Sequence, residues 1–563
     1  MGGKKRGPTQ VQVLLDIAPH AALFHAPDGT AYADLVINGH RETWPVRSKG
    51  FKRWITRQFF EKTRRAPNSQ ALQSALNCIE SMAYFDAPLM DVHVRVGGHH
   101  GKVYLDLTDD AWRAVEIDAG SWRIVATPPI RFRRAAGMLP LPEPVRDGSI
   151  DELRDFLNIT NERDFVLAIA WLLAALRDHG PYPVIVLSGE QGSAKSTFSR
   201  VLRSLVDPNS APLRALPRED RELFIAARNG HVLCFDNVSG LRHWLSDTFC
   251  RLATGGGFAV RQLYTDDDEI LFEATRPVIL NGIEDFVTRP DLADRSILLS
   301  LTPIPEDKRR TEKELWTEFS EAHPRILGSL LDAVSVGLRR LPDTELDMLP
   351  RMADFALWST ACEGTFWEDG TFMQAYAGNR DEAIDSVIES DAVASAVRSL
   401  IESKGEWSGT ATDLLEELSD EVSDMVRRAK SWPASPRALS NRLTRAASFL
   451  RKVGIDVSRD REGRARTRTI LISHVPSVNG SGPSASSAGG QMAIPGDGLS
   501  STEFARRGPQ AALEAQRAGQ LSNAVEDPID SAALPDADGA DEADAEDLSI
   551  FETTKVLSES EIL

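Results

Sequence analysis

Residues 183–197, PVIVLSGEQGSAKST, carry the spacing with the most chemical content in this sequence: a short apolar, β-branched run, then a glycine-rich loop closing on Lys-Ser-Thr ahead of a helical pattern. A loop of this kind turns successive backbone N–H groups inward around phosphate oxygens, while a lysine meets the β/γ charge and a hydroxyl holds Mg²⁺. The loop residues are Gly189, Glu190, Gln191, Gly192, Ser193, Ala194, Lys195, Ser196 and Thr197, with Lys195 as the charge and Ser196 as the metal-side hydroxyl. The usual pattern has glycine immediately before the lysine. Ala194 stands there instead; it is small and compatible with a helix start.

A nucleotide site of this type needs an acid from a second buried strand. The run His231-Val-Leu-Cys-Phe-Asp236-Asn237 supplies one, four apolar residues ending in a carboxylate placed beside the Mg²⁺ held by Ser196. Many ATPases follow that aspartate with a glutamate that polarises the attacking water, and here the residue is Asn237. An amide orients water but does not take its proton. Turnover is then slow, or uses another acid such as Glu190 or one of residues 266–269, or waits for substrate. A third apolar strand, 277–280, ends in Asn281, positioned for the γ-phosphate and the water. Further on, Arg295 either reaches the γ-phosphate of a neighbouring subunit or forms a salt bridge with Asp291 or Asp294. Between the second and third strands, a glycine turn and a hairpin carry Arg261 and Tyr264.

The elements around this set divide the chain. At 563 residues it is too long for one core, and a prior of about 150 residues per domain gives three or four units. In residues 1–148 an α+β region is expected, with strand-like runs at 11–25 and 32–38 around the turn Ala26-Pro27-Asp28-Gly29-Thr30 and further strands at 92–96, 103–107 and 122–127. Basic residues from Arg41 to Arg65 interleave with Trp44, Phe51, Trp54 and Phe59. They read as an amphipathic helix with buried aromatics, or as a single-strand binding surface. His99 and His100 fall in a turn without a second ligand cluster. Asp106, Asp109 and Asp110 invite a two-metal reading for which no matching histidine set exists. Ser149 with Glu152 forms a capping box, and Asn161 caps a helix through Arg177 that leads into the phosphate loop.

The formal net charge is −19. Residues 475–563 hold sixteen acidic and four basic side chains and so account for most of it; the remainder leaves room for a nucleic-acid partner. The four cysteines, Cys78, Cys234, Cys250 and Cys362, form no Cys-x-x-Cys pair, which argues against a zinc ribbon or a disulfide framework. The longest apolar run, 165–176, falls short of the roughly 18 residues of a membrane span. No secretory pattern opens the sequence, so the cytoplasm is expected.

Helical patterns fill Thr311 to about Phe366 and suit a helical lid or collar at 306–380 beyond the phosphate-loop core. Within 381–474 the pattern gives a helix to Ser403, a short helix at 412–422, and a helix from Ser435-Pro436 to Val453 stopped by Gly454. A basic two-stranded ribbon follows, at 455–458 and 464–472. Arg437, Arg442 and Arg445 oppose the apolar stripe of the last helix, and Arg464, Arg466 and Arg468 lie on the ribbon. Three helices and a basic ribbon resemble a winged-helix module, which implies duplex DNA as partner. Residues 475–563, rich in Ser, Gly, Ala, Asp and Glu, are expected to be a disordered acidic tail, solubilising or recruiting a replication partner.

The order of phosphate loop, apolar-Asp strand, hairpin, Asn-ended strand and trailing arginine, over residues 165–301, resembles the superfamily 3 helicase branch of the AAA+ ATPases, especially phage and integrative-element primase-helicases. The resemblance implies an α/β P-loop core at 149–305, ATP and Mg²⁺ as cofactors, and a homo-oligomeric ring, a hexamer, with nucleotide between subunits. It also implies Arg295 acting in trans and Arg261 gripping single-stranded DNA in the channel. Three functions follow: an ATP-driven DNA helicase or translocase of a mobile element, a nucleotide-switched DNA-binding protein with slow turnover, and a primase-helicase fusion whose primase chemistry is not found in the first 150 residues.

Overall fold

The computed structural model describes residues 8–256, 258–261, 269–272, 274–283, 286–429, 431–462 and 467–474. Its centre is a four-stranded parallel sheet in the order Leu233–Val238, Val278–Gly282, Val184–Gly189, Ser296–Leu301. These strands are nearly continuous apolar runs, as a parallel sheet covered on both faces requires. The helix Glu162–Ala175, capped by the Asn161 side chain, is buried at almost every position, the mark of a helix enclosed on all sides. It ends two residues before Arg177, where the sequence pattern had extended it.

The N-terminal reading needs a correction. Residues 11–25 are not one strand: Gln10–Leu15 is a helix capped by Thr9, and only Ala22–His25 is extended. The V-x-V alternation has the period of a strand, but the cap and the packing of Leu14 into the core decide otherwise. Ala22–His25, Ala31–Ile37 and His40–Pro45 form an antiparallel sheet. The basic segment is the helix Lys49–Thr63, with Phe51, Ile55 and Phe59 buried, so those aromatics build a core. A second antiparallel sheet contains Val96–His99, Lys102–Asp106, Ala114–Ile117 and Trp122–Val125; its third strand was not foreseen.

One continuous apolar cluster joins this second sheet (Val103, Leu105, Val115, Ile117) to the Glu162–Ala175 helix, the face of the parallel sheet bearing Ile185 and Leu187, and the long helix Glu312–Arg340. A buried ion pair crosses the same boundary. Arg95 Nε lies 3.0 Å from Asp207 Oδ1, both side chains are sealed from solvent, and Arg95 also donates to the carbonyls of Asp106 and Leu139. Asp207 accepts in addition from the backbone N–H groups of His231 and Val232.

The expected helix ending at Ser403 is two helices, Thr371–Ser390 and Ala392–Lys404, because Asp391 breaks the run and caps the second through Val393 and Ala394. Beyond them lie the helices Ala411–Glu421, Asp424–Arg428 and Pro436–Lys452. The ribbon Ile455–Glu462 and Thr467–His474 gains a third, unforeseen strand, Glu406–Gly409, on its second strand. This C-terminal part packs on the other face of the parallel sheet, and Lys452 pairs with Asp294. Among the described residues no helix is long and apolar enough to cross a membrane. Residues 475–563 lie outside the described residues.

Candidate functional site

The strand Val184–Gly189 delivers the loop to the C-terminal edge of the parallel sheet, and the helix Lys195–Val206 carries it away. Gly189 is required by a close approach: a Cβ there would sit 2.3 Å from the Leu301 carbonyl oxygen. Ala194 occupies the left-handed region at φ 60° and ψ 27°, at a cost of about 1 kcal/mol for a residue with a Cβ. Asn158, which carried no local signal in the sequence, holds the loop from outside. Its amide donates to the carbonyls of Ser193 at 3.0 Å and Thr302 at 2.7 Å.

Lys195 Nζ is folded back on its own loop, 2.7 Å from the Gly189 carbonyl, 2.8 Å from that of Glu190 and 3.2 Å from Ser193 Oγ. Partial burial pulls its pKa down, and the nearby Asp236 opposes the shift. Ser196 Oγ donates to Asp236 Oδ1 at 2.9 Å, joining the helix start to the second strand. The register of that strand shifts between Phe235 and Val238, and Asn237 takes φ 57°; irregularities of this kind re-aim side chains beside sites. Asn281 is buried, donating to Ser199 Oγ at 2.8 Å and accepting from the Asn237 N–H at 3.2 Å. Lys195, Ser196, Thr197, Asp236, Asn237 and Asn281 thus share the walls of one cleft of about 580 Å³, with Gln191, Gly192 and Ala194 at its loop side. Glu190 is exposed and enters the network through its carbonyl.

Arg295 is not in this cleft. Its carbonyl accepts from the Val184 N–H, at the opposite end of the strand, about 16 Å away at 3.3 Å per residue. Its guanidinium pairs with Asp291 at 2.5 Å, and Asp291 also meets Arg351 at 2.7 Å. Arg295 Nε is buried without a hydrogen-bond partner among the described residues.

The hairpin expected around Arg261 forms from Phe258–Arg261 and Glu269–Phe272, antiparallel, with Arg261 opposite Glu269. Tyr264, Arg464 and Arg466 lie outside the described residues. Arg437 and Arg468 are exposed. Arg445 is exposed and Arg442 half-buried on the outer helix face, where both line a cleft of about 460 Å³ with His243, Arg289 and Asp291. Arg451 is tied to Asp456 at 3.0 Å, and Arg459 donates to the Ser440 carbonyl and to Thr444 Oγ1. Among the described residues no group of three His, Cys, Asp or Glu side chains is arranged to hold a metal ion. Asp106 pairs with Arg134 and Asp109 with Arg113.

Residues 150–385 match the family described as the actinomycete integrative conjugative element replication protein, and residues 393–487 match that described as the AICE RepA C-terminal domain. No curated protein matches. Among solved structures, an A-form apo structure of the NrS-1 C-terminal region covers 84% of this chain and 100% of its own, at 11% identity and TM-score 0.35. An apo structure of NrS-1 residues 305–718 has the same coverage at 9% identity and TM-score 0.32. An A-form structure of that region covers 57% of this chain and 68% of its own, at 11% identity and TM-score 0.30. Two consecutive stretches of this chain are thus similar to the two family descriptions given for replication proteins of actinomycete integrative conjugative elements.

Proposed function

We propose that this replication protein is an ATP- and Mg²⁺-dependent DNA helicase or translocase with a P-loop core of superfamily 3 type, working as a homo-oligomeric, hexameric ring. The observation that carries the reading is the convergence of Lys195, Ser196 and Asp236 on one cleft at the C-terminal edge of parallel strands. A hydroxyl and a single carboxylate suit Mg²⁺, which usually keeps several waters; Ser196 and Asp236 would hold it, and it would supply positive charge against the nucleotide phosphates. Lys195 exchanges its loop carbonyls for phosphate oxygens, and Asn281 orients the attacking water with Asn237 beside it. Arg295 serves a neighbouring subunit, since its own cleft lies at the far end of the strand. The hairpin ending in Arg261 engages single-stranded DNA, and the C-terminal module acts as a winged helix on duplex.

Asn237 favours a second reading. With an amide where a general base is usual, the protein assembles on DNA as a nucleotide-dependent switch with slow turnover. Steady-state ATPase activity with and without single-stranded DNA separates the two, with Lys195→Ala as the blank. DNA-stimulated turnover that the blank abolishes is the motor's signature. Nucleotide binding with negligible turnover in both conditions overturns the motor.

A further inference from the structure

A second cleft, of about 550 Å³, opens at the other end of the parallel sheet from the phosphate loop. One wall is the turn after Ala22–His25, with Pro27 and Asp28, and the strand Val92–His93; the other is the end of the helix Asp220–Asn229 and the segment Ala274–Arg276. Ala274 lies just beyond the hairpin strand Glu269–Phe272, so the cleft sits at the root of that hairpin.

Three arginines line it, and two have no carboxylate partner among the described residues. Arg133 donates to Asn229 Oδ1 at 3.1 Å and to the Arg228 carbonyl. Arg276 donates to the carbonyls of Ala227 at 2.8 Å, Gly230 at 3.1 Å and Thr275 at 2.9 Å. Both guanidiniums therefore rest on the C-terminal end of one helix, whose dipole supplies only about half a negative charge against two whole positive ones. Arg228 is matched by Asp28, and Asp91 is exposed at the rim. Burial pulls the pKa values of Arg133 and Arg276 down; Arg228 adds to the shift at Arg133 and Arg133 to that at Arg276, while Asp28 opposes it at Arg133 and Asp207 at Arg276. Burial likewise keeps His93 neutral near pH 7. Half-buried cations held only by carbonyls remain short of negative charge, and an anionic ligand supplies it.

We propose that this cleft binds a backbone phosphodiester of single-stranded DNA, with Arg133 and Arg276 as its contacts. Its place beside the hairpin root favours a strand phosphate over a free one, because a strand gripped by the hairpin passes this cleft. That choice rests on the hairpin's assignment to DNA under the proposed function.

The test is fluorescence anisotropy of a labelled oligothymidylate with the full-length protein over a salt series, for the parent, Arg133→Gln, Arg276→Gln and Pro27→Glu. Pro27 is exposed in the turn, so the glutamate adds negative charge to the cleft without removing any guanidinium contact. Each variant should bind about tenfold more weakly, and each arginine variant should lower the slope of log K against log salt by about 0.7, the loss of one phosphate contact on a single strand. The thermal midpoint should stay at the parent's value in Pro27→Glu, since Pro27 is exposed. Parent affinity and slope in both Arg133→Gln and Pro27→Glu, with oligothymidylate still stimulating ATP turnover, overturn the cleft alone. A parent that binds no oligothymidylate overturns the cleft and the DNA reading together. If inorganic phosphate raises the parent's thermal midpoint but not that of Arg133→Gln, while oligonucleotide affinity is equal in both, the site takes free phosphate and the strand proposal fails.

Discussion

The two ends of the central sheet treat their positive charges differently. At the C-terminal edge Lys195 is held by loop carbonyls and a serine hydroxyl, with no carboxylate within ion-pair distance among the described residues. At the N-terminal edge Arg295 is already paired with Asp291, which it shares with Arg351. One end is arranged to receive a ligand within the chain. The other keeps its arginine on an acid, and in the ring we propose its partner would be the next subunit's nucleotide.

Arg295→Ala tests this difference most sharply. ATP turnover should fall by about a thousandfold, the scale of an arginine acting on a transferring phosphoryl group, while equilibrium nucleotide binding to the isolated chain stays within a factor of two or so. Equal losses in binding and turnover would place Arg295 in its own subunit's site instead.

Next in size is the ion pair beneath both ends. Arg95→Met leaves the Asp207 carboxylate buried without its partner, and urea denaturation should register a loss of about 3–5 kcal/mol. A loss below about 1 kcal/mol, the range of exposed pairs, would mean that water reaches Asp207.

The buried histidines give a pH dependence of similar sign and smaller reach. Burial pushes His231 and His323 down to about 4; His231 is neutral, with Nε2 2.6 Å from the Ala175 carbonyl. Below the usual value of about 6.5 the unfolded chain binds protons that the folded chain refuses, so stability present at pH 7 is lost as the pH falls from about 6.5 towards 4, by up to about 3 kcal/mol per histidine. Replacing His323 with Gln should flatten the decline of the urea midpoint between pH 7 and 5; an unchanged decline would assign it to other groups. The smallest effect is expected at Ala194. Glycine relieves its left-handed strain but adds freedom to the unfolded chain, so Ala194→Gly should stabilise by at most about 1 kcal/mol in the same assay.

Local patterns carried much of this architecture. The strand at 184–189 and the helix after Lys195 were legible because an apolar run, glycines and Lys-Ser-Thr occur in immediate succession. The capping box at Ser149 and Glu152 and the cap at Asn161 also read directly from residue type. What escaped was fixed by distant partners. Asn158 reaches Thr302 across more than a hundred residues, and Arg95 reaches Asp207 across a similar span; neither has a signature in its own neighbourhood. Ser296–Leu301 is apolar enough to be a strand but gave no motif, and only its pairing with Val184–Gly189 makes it one. The basic face of Pro436–Lys452 reads as free surface in sequence, and Arg437 and Arg445 are exposed, but Lys452 is taken up by Asp294, a partner more than 150 residues away.

The helix Lys195–Val206 has one further consequence. Its first turn contains Lys195 and Ser196, and the residue closing it, Asp207, grips Arg95, in the bend before the strand Val96–His99, and the N–H groups of His231 and Val232 just ahead of the Asp236 strand. At 1.5 Å per residue it is a rod about 18 Å long, embedded in a packed interior that yields little under strain. The helix therefore joins the Lys195 loop rigidly to the Arg95–Asp207 pair. It ties the cleft lined by Lys195 and Asp236 to N-terminal residues that do not line it.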